Sequence, residues 1–338
     1  MGVAPYRVLM VGCGQIAGLF DKPSRDCAVL THAQAYSRDG RFMISACVDP
    51  DAERRANFMQ TWNVRDGFAD IGGAFADGRA YDVMSLCTST NSHATVLSNV
   101  ASRPVRAIFA EKPLLASPGE TKAVELFREA GAPTVFVNYT RRWDPEIEAL
   151  RASIANGEAG PCRSVTVFYN KGVRNNASHA VQLLTYLLDL DPKSLTIDAV
   201  GRWKRDHAAD DPTVDALLAT DAGTPIHLIG LDARDFALFE ITLVFAGRIV
   251  EIRDGGWTIR TRLAAPSKRF PNYKEVSESD ERSGGYGKAL PRALDNIVDC
   301  LEGRGRPACS VDEALAVETF CQSLIDLALA RPDKEIRT

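Results

Sequence analysis

The sequence predicts an α/β fold in which a doubly wound parallel sheet is followed by an α+β domain. Three observations support this prediction. A short apolar run and a glycine-rich turn open the chain, apolar strands then alternate with helices to about residue 140, and later strands are joined by Gly and Asp turns. A chain of 338 residues is too long for one ordinary core. We therefore expect domains over residues 1–120 and 121–338, with helices of about residues 290–330 able to pack back on the first.

The first predicted strand is the apolar run 8–11, which is typical of a strand buried on both faces. A G-x-G-x-x-A pattern follows it and opens a helix. The first glycine of this pattern permits a tight turn, the second lets a pyrophosphate approach the backbone, and the small third residue lets helix and strand pack closely. The pattern predicts a dinucleotide-binding Rossmann domain whose cofactor contacts lie at Gly12, Cys13, Gly14, Gln15, Ile16 and Ala17.

The second half of this signature is Asp49, at the end of a predicted strand over residues 42–48. Its distance from Ala17 exceeds the usual spacing, which we attribute to a loop inserted at residues 19–30. A carboxylate here can accept both ribose hydroxyls of NAD and would repel the 2′-phosphate of NADP, so NAD is the expected cofactor. In the alternative interpretation, Asp49 caps a helix predicted over residues 51–61. Both roles are compatible.

Further strands are predicted at residues 82–88, 107–110 and 134–138, with helices at about 92–101 and 119–130. Polar side chains follow the first of these strands, and ligands bind outside the carboxyl ends of strands in a parallel sheet. We therefore assign cofactor contacts to Thr88, Ser89, Thr90 and His93. The alternative is a cluster that caps the next helix. The following strand runs directly into Glu111-Lys112-Pro113.

Beyond residue 140 the pattern predicts an antiparallel sheet. The predicted strands lie at residues 164–169, 197–202, 214–219, 226–231, 236–245 and 248–253. A helix is predicted at 178–189, and two more are predicted at 290–302 and 312–330.

Composition and charge argue against several classes of partner. The net charge of −4 argues against a nucleic-acid partner, and no apolar run is long enough to span a bilayer. The N-terminus enters a strand with no signal-peptide pattern, and the eight cysteines are scattered without a C-x-x-C pair. We expect a reduced cytoplasmic protein with a small-molecule partner, no membrane partner and no metal site.

With these motifs in order, the chain resembles the Gfo/Idh/MocA (glucose-fructose oxidoreductase / inositol dehydrogenase) family of NAD(P)-dependent oxidoreductases. The resemblance rests on the glycine turn and on the segments 87–93, 111–113, 138–143 and 175–179. It implies a large open sheet, mostly antiparallel, in the second domain, which binds substrate. It also implies a homodimer or homotetramer formed through that sheet, whose exposed face would otherwise stay in water.

The resemblance implies that Lys112 contacts the cofactor and the hydroxyl or carbonyl being converted, with Glu111 also at the cofactor. Hydride removal from an alcohol requires loss of the hydroxyl proton, which a lysine can accept or return. His179 is the second catalytic candidate, since its pKa normally lies near neutrality. Many relatives carry Asp four residues before this histidine, but this chain has Asn175, which can orient a group yet cannot take a proton.

The resemblance places the remaining candidates beside the substrate: Tyr139, Arg142, Trp143, Tyr169, Lys171, Arg174 and Asn176. Cationic members of this set favour an anionic substrate, and the aromatic ones could stack on a sugar. The predicted function is an NAD-dependent oxidoreductase acting on a hydroxyl or keto carbon of a sugar, cyclitol or sugar nucleotide. The alternative is a non-catalytic NAD(P)-binding regulator or scaffold with the same fold, which the loss of the aspartate before His179 favours.

Overall fold

A computed structural model describes residues 4–21, 23, 27–276 and 280–336 and divides the chain into two compact units. The first unit comprises the chain up to Trp143 together with Gly287–Leu315, and the second comprises Asp144–Tyr286 together with the chain from Ala316. The expected boundary at residue 120 therefore lies too early, because the strand Thr134–Asn138 pairs with the sheet of the first unit. The chain returns to the first unit at residues 287–315.

The first unit contains a parallel sheet and the segments that connect its strands. Its elements are β1 (Tyr6–Val11), α1 (His32–Arg38), β2 (Phe42–Val48), α2 (Ala52–Trp62), β3 (Asp66–Phe68), α3 (Ile71–Ala74), β4 (Tyr81–Leu86), α4 (Thr90–Val100), β5 (Val105–Glu111), α5 (Lys122–Glu125) and β6 (Thr134–Asn138). Six strands of the described chain form this sheet in the order β3-β2-β1-β4-β5-β6. This order is that of the doubly wound Rossmann fold, which opens a crevice at the carboxyl ends of β1 and β4.

The predicted fold class of this unit is confirmed, and the strand pattern has a simple cause. The apolar run Val8–Val11 of the central strand β1 is at most 2% exposed, as a strand covered on both faces requires. The side chain of Asp51 caps α2 by accepting from the N–H of Arg54, and Asn63 ends that helix with a left-handed φ of 54°.

Two local expectations for this unit need comment. The glycine turn continues only as a single π turn, Gln15–Leu19, and the next helix begins at His32, as the predicted inserted loop requires; residues 22 and 24–26 of that loop lie outside the described part. The predicted helix over 119–130 is wrong in extent. In the described structure only α5 is α-helical there, and neither Ser117 nor Thr121 supplies a side-chain cap.

The second unit contains one large sheet and its helices. Its elements are α6 (Pro145–Ala155), β7 (Cys162–Tyr169), α7 (Ser178–Leu188), β8 (Thr196–Ala208), β9 (Asp211–Ala219), β10 (Pro225–Gly230), β11 (Phe239–Phe245), β12 (Arg248–Arg253), β13 (Thr258–Pro266), β14 (Lys274–Val276) and β15 (Asp280–Ser283). Eight described strands follow the order β14-β13-β12-β11-β7-β10-β9-β8, and β15 pairs with β13. Only the β7–β10 pair is parallel among the described pairings of this sheet, so the predicted open, mostly antiparallel sheet is confirmed.

The sequence did not predict α6 or the strands β13 to β15. The strand β13 alternates charged and apolar residues only weakly, although it forms a hairpin with β12 across the short Gly-containing connection 254–257. The last two helices, α8 (Ala289–Leu301) and α9 (Val311–Leu329), lie within a residue of their predicted bounds. None of the described helices is both long and apolar enough to cross a membrane.

Candidate functional site

The glycine turn after β1 contains two glycines whose surroundings differ. Gly12 has a φ of 88°, and a Cβ there would lie 2.7 Å from the carbonyl carbon and oxygen of Cys87 and 2.8 Å from the nitrogen of Thr88. Only glycine fits between the ends of β1 and β4. Gly14 has an ordinary φ of −84°, and a Cβ there would meet nothing within 4 Å. Its backbone faces open space, as the approach of a phosphate requires.

Asp49, at the end of β2, connects the glycine turn to α2. Its side chain is 3% exposed. One carboxylate oxygen, Oδ2, accepts from the N–H of Cys13 at 2.9 Å, and the other, Oδ1, accepts from the N–H of Asp51 at 2.9 Å. The helix cap itself is Asp51, so the alternative interpretation of Asp49 as that cap is wrong. The guanidinium of Arg54 lies 3.6 Å from Asp49 and 3.1 Å from Asp51.

A cleft of about 590 Å³ lies at the carboxyl ends of β1, β2 and β4, and all its lining residues belong to the first unit. Five predicted cofactor residues line it: Gly12, Gly14, Asp49, Thr88 and Ser89. Its wall also includes residues that the sequence analysis missed: Arg54, Asp70, Ser92, Thr95, Val96, Asn99 and Arg103. Several of these follow one another at helical spacing along one face of α4, which was the signal available in the sequence.

The other predicted contacts along the turn do not line this cleft as the structure describes it. Cys13 and Ala17 are fully buried, and Cys13 contributes through its backbone N–H to Asp49. Gln15 is exposed, Ile16 is half-buried, and Thr90 begins α4. The side chains of Cys13 and Ala17 therefore face the protein interior, whereas the cofactor contacts of Gln15, Ile16 and Thr90 stay predictions.

His93 was predicted to contact the cofactor, and the structure contradicts this. The ring is fully buried, with Nδ1 3.2 Å from the carbonyl oxygen of Leu114 and Nε2 3.1 Å from that of Thr88. Burial lowers the pKa of His93, and the neutral ring donates only one of these bonds at a time. The residue joins the end of β4 to the segment after Pro113, so its role is structural.

Lys112 follows β5 directly, at the carboxyl edge of the parallel sheet, and is half-buried. The peptide bond between Lys112 and Pro113 is cis. Glu111, the last residue of β5, has a side chain that is 13% exposed and contacts His32 and Asn138. Although burial opposes ionisation, these hydrogen bonds and the nearby charge of Lys112 lower the pKa of Glu111.

In the second unit, His179 and Asn175 lie at the start of α7. A π turn, Val173–Ala177, leads into the helix, and the buried carboxylate of Asp211 accepts the N–H groups of Arg174 and Asn175 at 2.8 and 2.9 Å. His179 is half-buried and meets the Phe239 ring edge to face at 6.3 Å between centroids. The Asp211 carboxylate therefore holds the backbone at the start of this turn.

The predicted aromatic contacts are mostly core residues. Tyr169 is fully buried, and its hydroxyl donates to the carbonyl of Val214 at 2.8 Å and accepts from the N–H of the same residue at 2.9 Å. The predicted role of Tyr169 in substrate stacking is therefore wrong. Tyr139 and Trp143 are 1% and 5% exposed, and Trp143 packs edge to face on Phe109. Neither ring presents a free face for a sugar.

The predicted cationic cluster is largely engaged within each unit. Arg142 lies 3.9 Å from the carboxylate of Glu313. Arg174 donates to the side chain of Gln322 at 2.7 Å and pairs with Asp210 at 3.6 Å. The backbone N–H of Lys171 donates to Asp206, and the side-chain amide of Asn176 donates to the carbonyl of Asn170. Carboxylates therefore lie near the two arginines, whereas the contacts of Lys171 and Asn176 involve a backbone N–H and a neutral amide and leave the charge of the lysine unchanged. Within the described ranges no group of His, Cys, Asp and Glu could hold a metal ion.

Residues 6–139 match the sequence profile of the GFO_IDH_MocA family, an oxidoreductase family with an NAD-binding Rossmann fold. The inositol 2-dehydrogenase of Rhizobium meliloti (strain 1021) is 28% identical over 158 residues, which are 42% of this chain and 48% of that protein. The matched residues are less than half of this chain, so the similarity to the Gfo/Idh/MocA family concerns this N-terminal part. This alignment spans about half the length of the relative.

Solved structures of similar fold extend over nearly the whole chain. An oxidoreductase from Agrobacterium radiobacter, solved with NAD+, L-tartaric acid and magnesium, gives a TM-score of 0.71 at 15% identity over 96% of this chain and 97% of its own. A variant of KijD10, a 3-ketoreductase from Actinomadura kijaniata solved with TDP-benzene and NADP, gives 0.71 at 14% identity over 98% of each chain. At these identities the likeness shows the fold alone.

Proposed function

We propose that this chain is a member of the Gfo/Idh/MocA family and an NAD-dependent oxidoreductase acting on a hydroxyl or keto carbon of a sugar, cyclitol or sugar nucleotide. The observation that carries the proposal is the carboxyl edge of the parallel sheet in the first unit. The glycine turn and Asp49 line one cleft there, and Lys112 follows the strand next to β4. The names of the relatives support the reaction class.

The residues of the cleft fit a dinucleotide. The open space at Gly14 admits a pyrophosphate next to the backbone. Each oxygen of the Asp49 carboxylate accepts one backbone N–H, which leaves the second lone pair of each for ribose hydroxyls. This acceptor pair favours NAD, whereas Arg54 beside it offsets part of the negative charge and makes the discrimination against NADP moderate. Bound NAD would supply the hydride acceptor or donor.

We assign the proton chemistry to Lys112. As an amine it takes the proton of the substrate hydroxyl, and as an ammonium it returns that proton to the oxygen in the reverse direction. An ammonium near the reacting oxygen also stabilises the alkoxide that develops there. His179 is the second proposed acid–base group, and Asn175, which cannot ionise, is proposed to orient the substrate through its side-chain amide.

For the substrate we propose a neutral polyol or sugar ahead of a sugar nucleotide, whose diphosphate is anionic. The relatives include an inositol dehydrogenase and a ketoreductase solved with a nucleotide compound. An anionic sugar is less favoured than the sequence suggested, because Arg142 and Arg174 have carboxylate partners within their own units. A polyol is recognised by hydrogen bonds rather than by net charge.

The test combines cofactor binding with turnover. NADH binding is followed by fluorescence, and polyols, sugars and sugar nucleotides are then screened for a change in nicotinamide absorbance. Lys112→Ala should abolish turnover while the affinity for NADH stays within a few-fold, because the lysine acts on the proton rather than on the cofactor. Lys122→Ala, on α5 of the same unit, is the matched control and should keep full activity. Equal activity of both variants would remove Lys112 from the mechanism.

Asn175 favours one second candidate, a cofactor-binding regulator without catalytic activity. An amide cannot accept the proton that the aspartate of many relatives handles. This candidate predicts NADH binding without turnover on any substrate in the screen. It also predicts that Asn175→Asp creates no activity, whereas a gain in turnover would support the enzyme.

We also propose that the chain self-associates through the open face of the large sheet. Along β7 the residues Val165, Val167 and Tyr169 are buried, whereas Thr166 and Phe168 between them are only half-buried, so one face of the sheet stays partly exposed. Light scattering after size-exclusion chromatography should give a dimer or a tetramer. A monomer at micromolar concentration would contradict the proposal.

A further inference from the structure

A buried chain of polar side chains lies behind Glu111 in the first unit. His32 and Tyr36 are four residues apart on α1, so both side chains reach the same neighbour, Ser85 of β4. The hydroxyl of Ser85 lies 2.8 Å from that of Tyr36 and 3.1 Å from Nδ1 of His32. The other ring nitrogen of His32, Nε2, lies 2.9 Å from the carboxylate of Glu111. His32 and Ser85 are fully buried, and Tyr36 is 1% exposed.

A second contact reaches the same carboxylate from β6. Asn138, the last residue of that strand, pairs in register with Glu111 and donates its amide to the same oxygen at 2.6 Å. Asn138 is 1% exposed. The carboxylate is thus held from both sides, by α1 and by β6, immediately before Lys112.

The ionised carboxylate fixes the direction of the first hydrogen bond in this chain. An ionised carboxylate only accepts, so Nε2 of His32 must donate to Glu111. The other ring nitrogen, Nδ1, and the hydroxyl of Tyr36 are both hydrogen-bonded to the hydroxyl of Ser85. The same donors stabilise the charged form of Glu111, which burial alone would neutralise.

The ionisable groups around this carboxylate come from four elements. His32 and Tyr36 lie on α1, Cys87 follows β4, His93 lies on α4, and Lys112 follows β5. Burial raises the pKa of Tyr36 and Cys87 and lowers that of His93, so these three are neutral near pH 7. His32 and Lys112 are the two groups of this set whose interaction with Glu111 favours its ionised form.

We infer that His32, with Ser85, Tyr36 and Asn138 behind it, keeps Glu111 ionised as the fixed counter-charge of Lys112 and so sets the pH at which that lysine exchanges its proton. Glu111 and His32 are then positioning residues that act through Lys112. The inference rests on the proposed function for its catalytic meaning. Its electrostatic content concerns the chain alone and can be tested without a substrate.

The first test measures the titration of Lys112 directly. Lysines are dimethylated with ¹³C-formaldehyde, the signal of Lys112 is identified by its loss in Lys112→Arg, and its chemical shift is followed with pH. Removing the carboxylate charge destabilises the ammonium, so Glu111→Gln should move the midpoint down by about one pH unit. Gln has the same shape and its oxygen still accepts from His32. Glu129→Gln, an exposed control in the same unit, should leave the midpoint unchanged.

The second test asks whether His32 acts through Glu111. In His32→Leu the buried carboxylate loses a donor and protonates more readily, so the midpoint of Lys112 should move in the same direction as in Glu111→Gln. His32→Gln keeps a donor and should restore the wild-type midpoint to within about 0.3 pH unit. If His32→Leu does not fold, the result for Glu111→Gln decides, since that variant preserves the packing.

The outcomes separate this inference from the proposed function. An unchanged Lys112 midpoint in Glu111→Gln overturns the inference, whether or not the protein is an oxidoreductase. A shifted midpoint in a protein without turnover supports the inference and counts against the proposed function. In an active enzyme, the lower-pH limb of kcat/KM for alcohol oxidation should move with the same midpoint. If the Lys112 midpoint moves but the lower-pH limb of kcat/KM does not, the inference is also overturned.

Discussion

Gly12 and Gly14 should respond to the same substitution in opposite ways. Both belong to one fingerprint, but the structure gives them different neighbours. Alanine at Gly12 would place its Cβ 2.7 Å from the backbone of Cys87 at a φ of 88°, whereas at Gly14 it would enter space with no atom within 4 Å at a φ of −84°. Gly12→Ala should therefore damage folding, and Gly14→Ala should damage only the binding of a dinucleotide.

The magnitudes follow from these contacts. A left-handed backbone costs an alanine about 1–2 kcal/mol, and displacing the end of β4 to relieve the clash costs a further ~1–3 kcal/mol. Gly12→Ala should lower the free energy of unfolding by about 2–4 kcal/mol. Gly14→Ala should change it by less than about 1 kcal/mol, with a gain as the expected sign, because alanine reduces the freedom of the unfolded chain. A methyl group where the pyrophosphate approaches should weaken NADH binding at least tenfold, or about 1.4 kcal/mol.

The assay pairs urea denaturation, followed by circular dichroism, with NADH fluorescence titration of each variant at a temperature where both are folded. Each variant serves as the control of the other. Wild-type NADH affinity in Gly14→Ala would show that no phosphate approaches this backbone. Equal stability losses in the two variants would show that the contact with Cys87 does not explain the glycine at residue 12.

The remaining predictions concern the cofactor preference, the core and the charges of the second unit. Asp49→Ser removes the repulsion of the 2′-phosphate, so the ratio of the NADP to the NAD dissociation constant should fall about tenfold. An unchanged ratio would show that Asp49 has only a structural role. Tyr169→Phe leaves the N–H and carbonyl of Val214 without their partner and should lower the free energy of unfolding, measured by urea denaturation, by about 1–3 kcal/mol. A KM more than doubled in this variant would show that Tyr169 contacts the substrate. Arg174→Met removes a partly exposed pair with Asp210 and should change stability by less than about 1 kcal/mol. Its effect on kcat/KM should be the same for neutral and anionic substrates, and a selective loss on the anionic ones would restore the anionic-substrate hypothesis.

The site was predictable wherever function is encoded in a short stretch. The fingerprint 12–17 combines a steric need at Gly12 with an open approach at Gly14, and both follow from one turn. Asp49 was found because the end of β2 lies beside the end of β1 in any parallel βαβ unit. The face of α4 was missed, although its polar residues at helical spacing were visible in the sequence.

Other assignments failed because burial depends on distant segments. Tyr169 reads locally as an aromatic residue at a strand end, yet its hydroxyl is enclosed by Val214, on a strand that pairs elsewhere in the sheet. His93 follows a polar loop but is bonded to Leu114, beyond the next strand. The domain boundary moved from residue 120 to 143 for the same reason, since membership of β6 in the first sheet is decided by pairing with β5.

By itself the sequence determined the order of most strands and helices outside α6 and β13 to β15, the dinucleotide turn and the lysine at the end of β5, because hydrophobic period and turn chemistry act over a few neighbouring residues. Only the tertiary structure decided which polar groups are buried together. Ser85, Glu111 and Asn138 lie 53, 79 and 106 positions along the sequence from His32, and no local pattern relates them to it. Their hydrogen bonds exist because packing excludes water from them, and exclusion of water is a property of the folded chain as a whole.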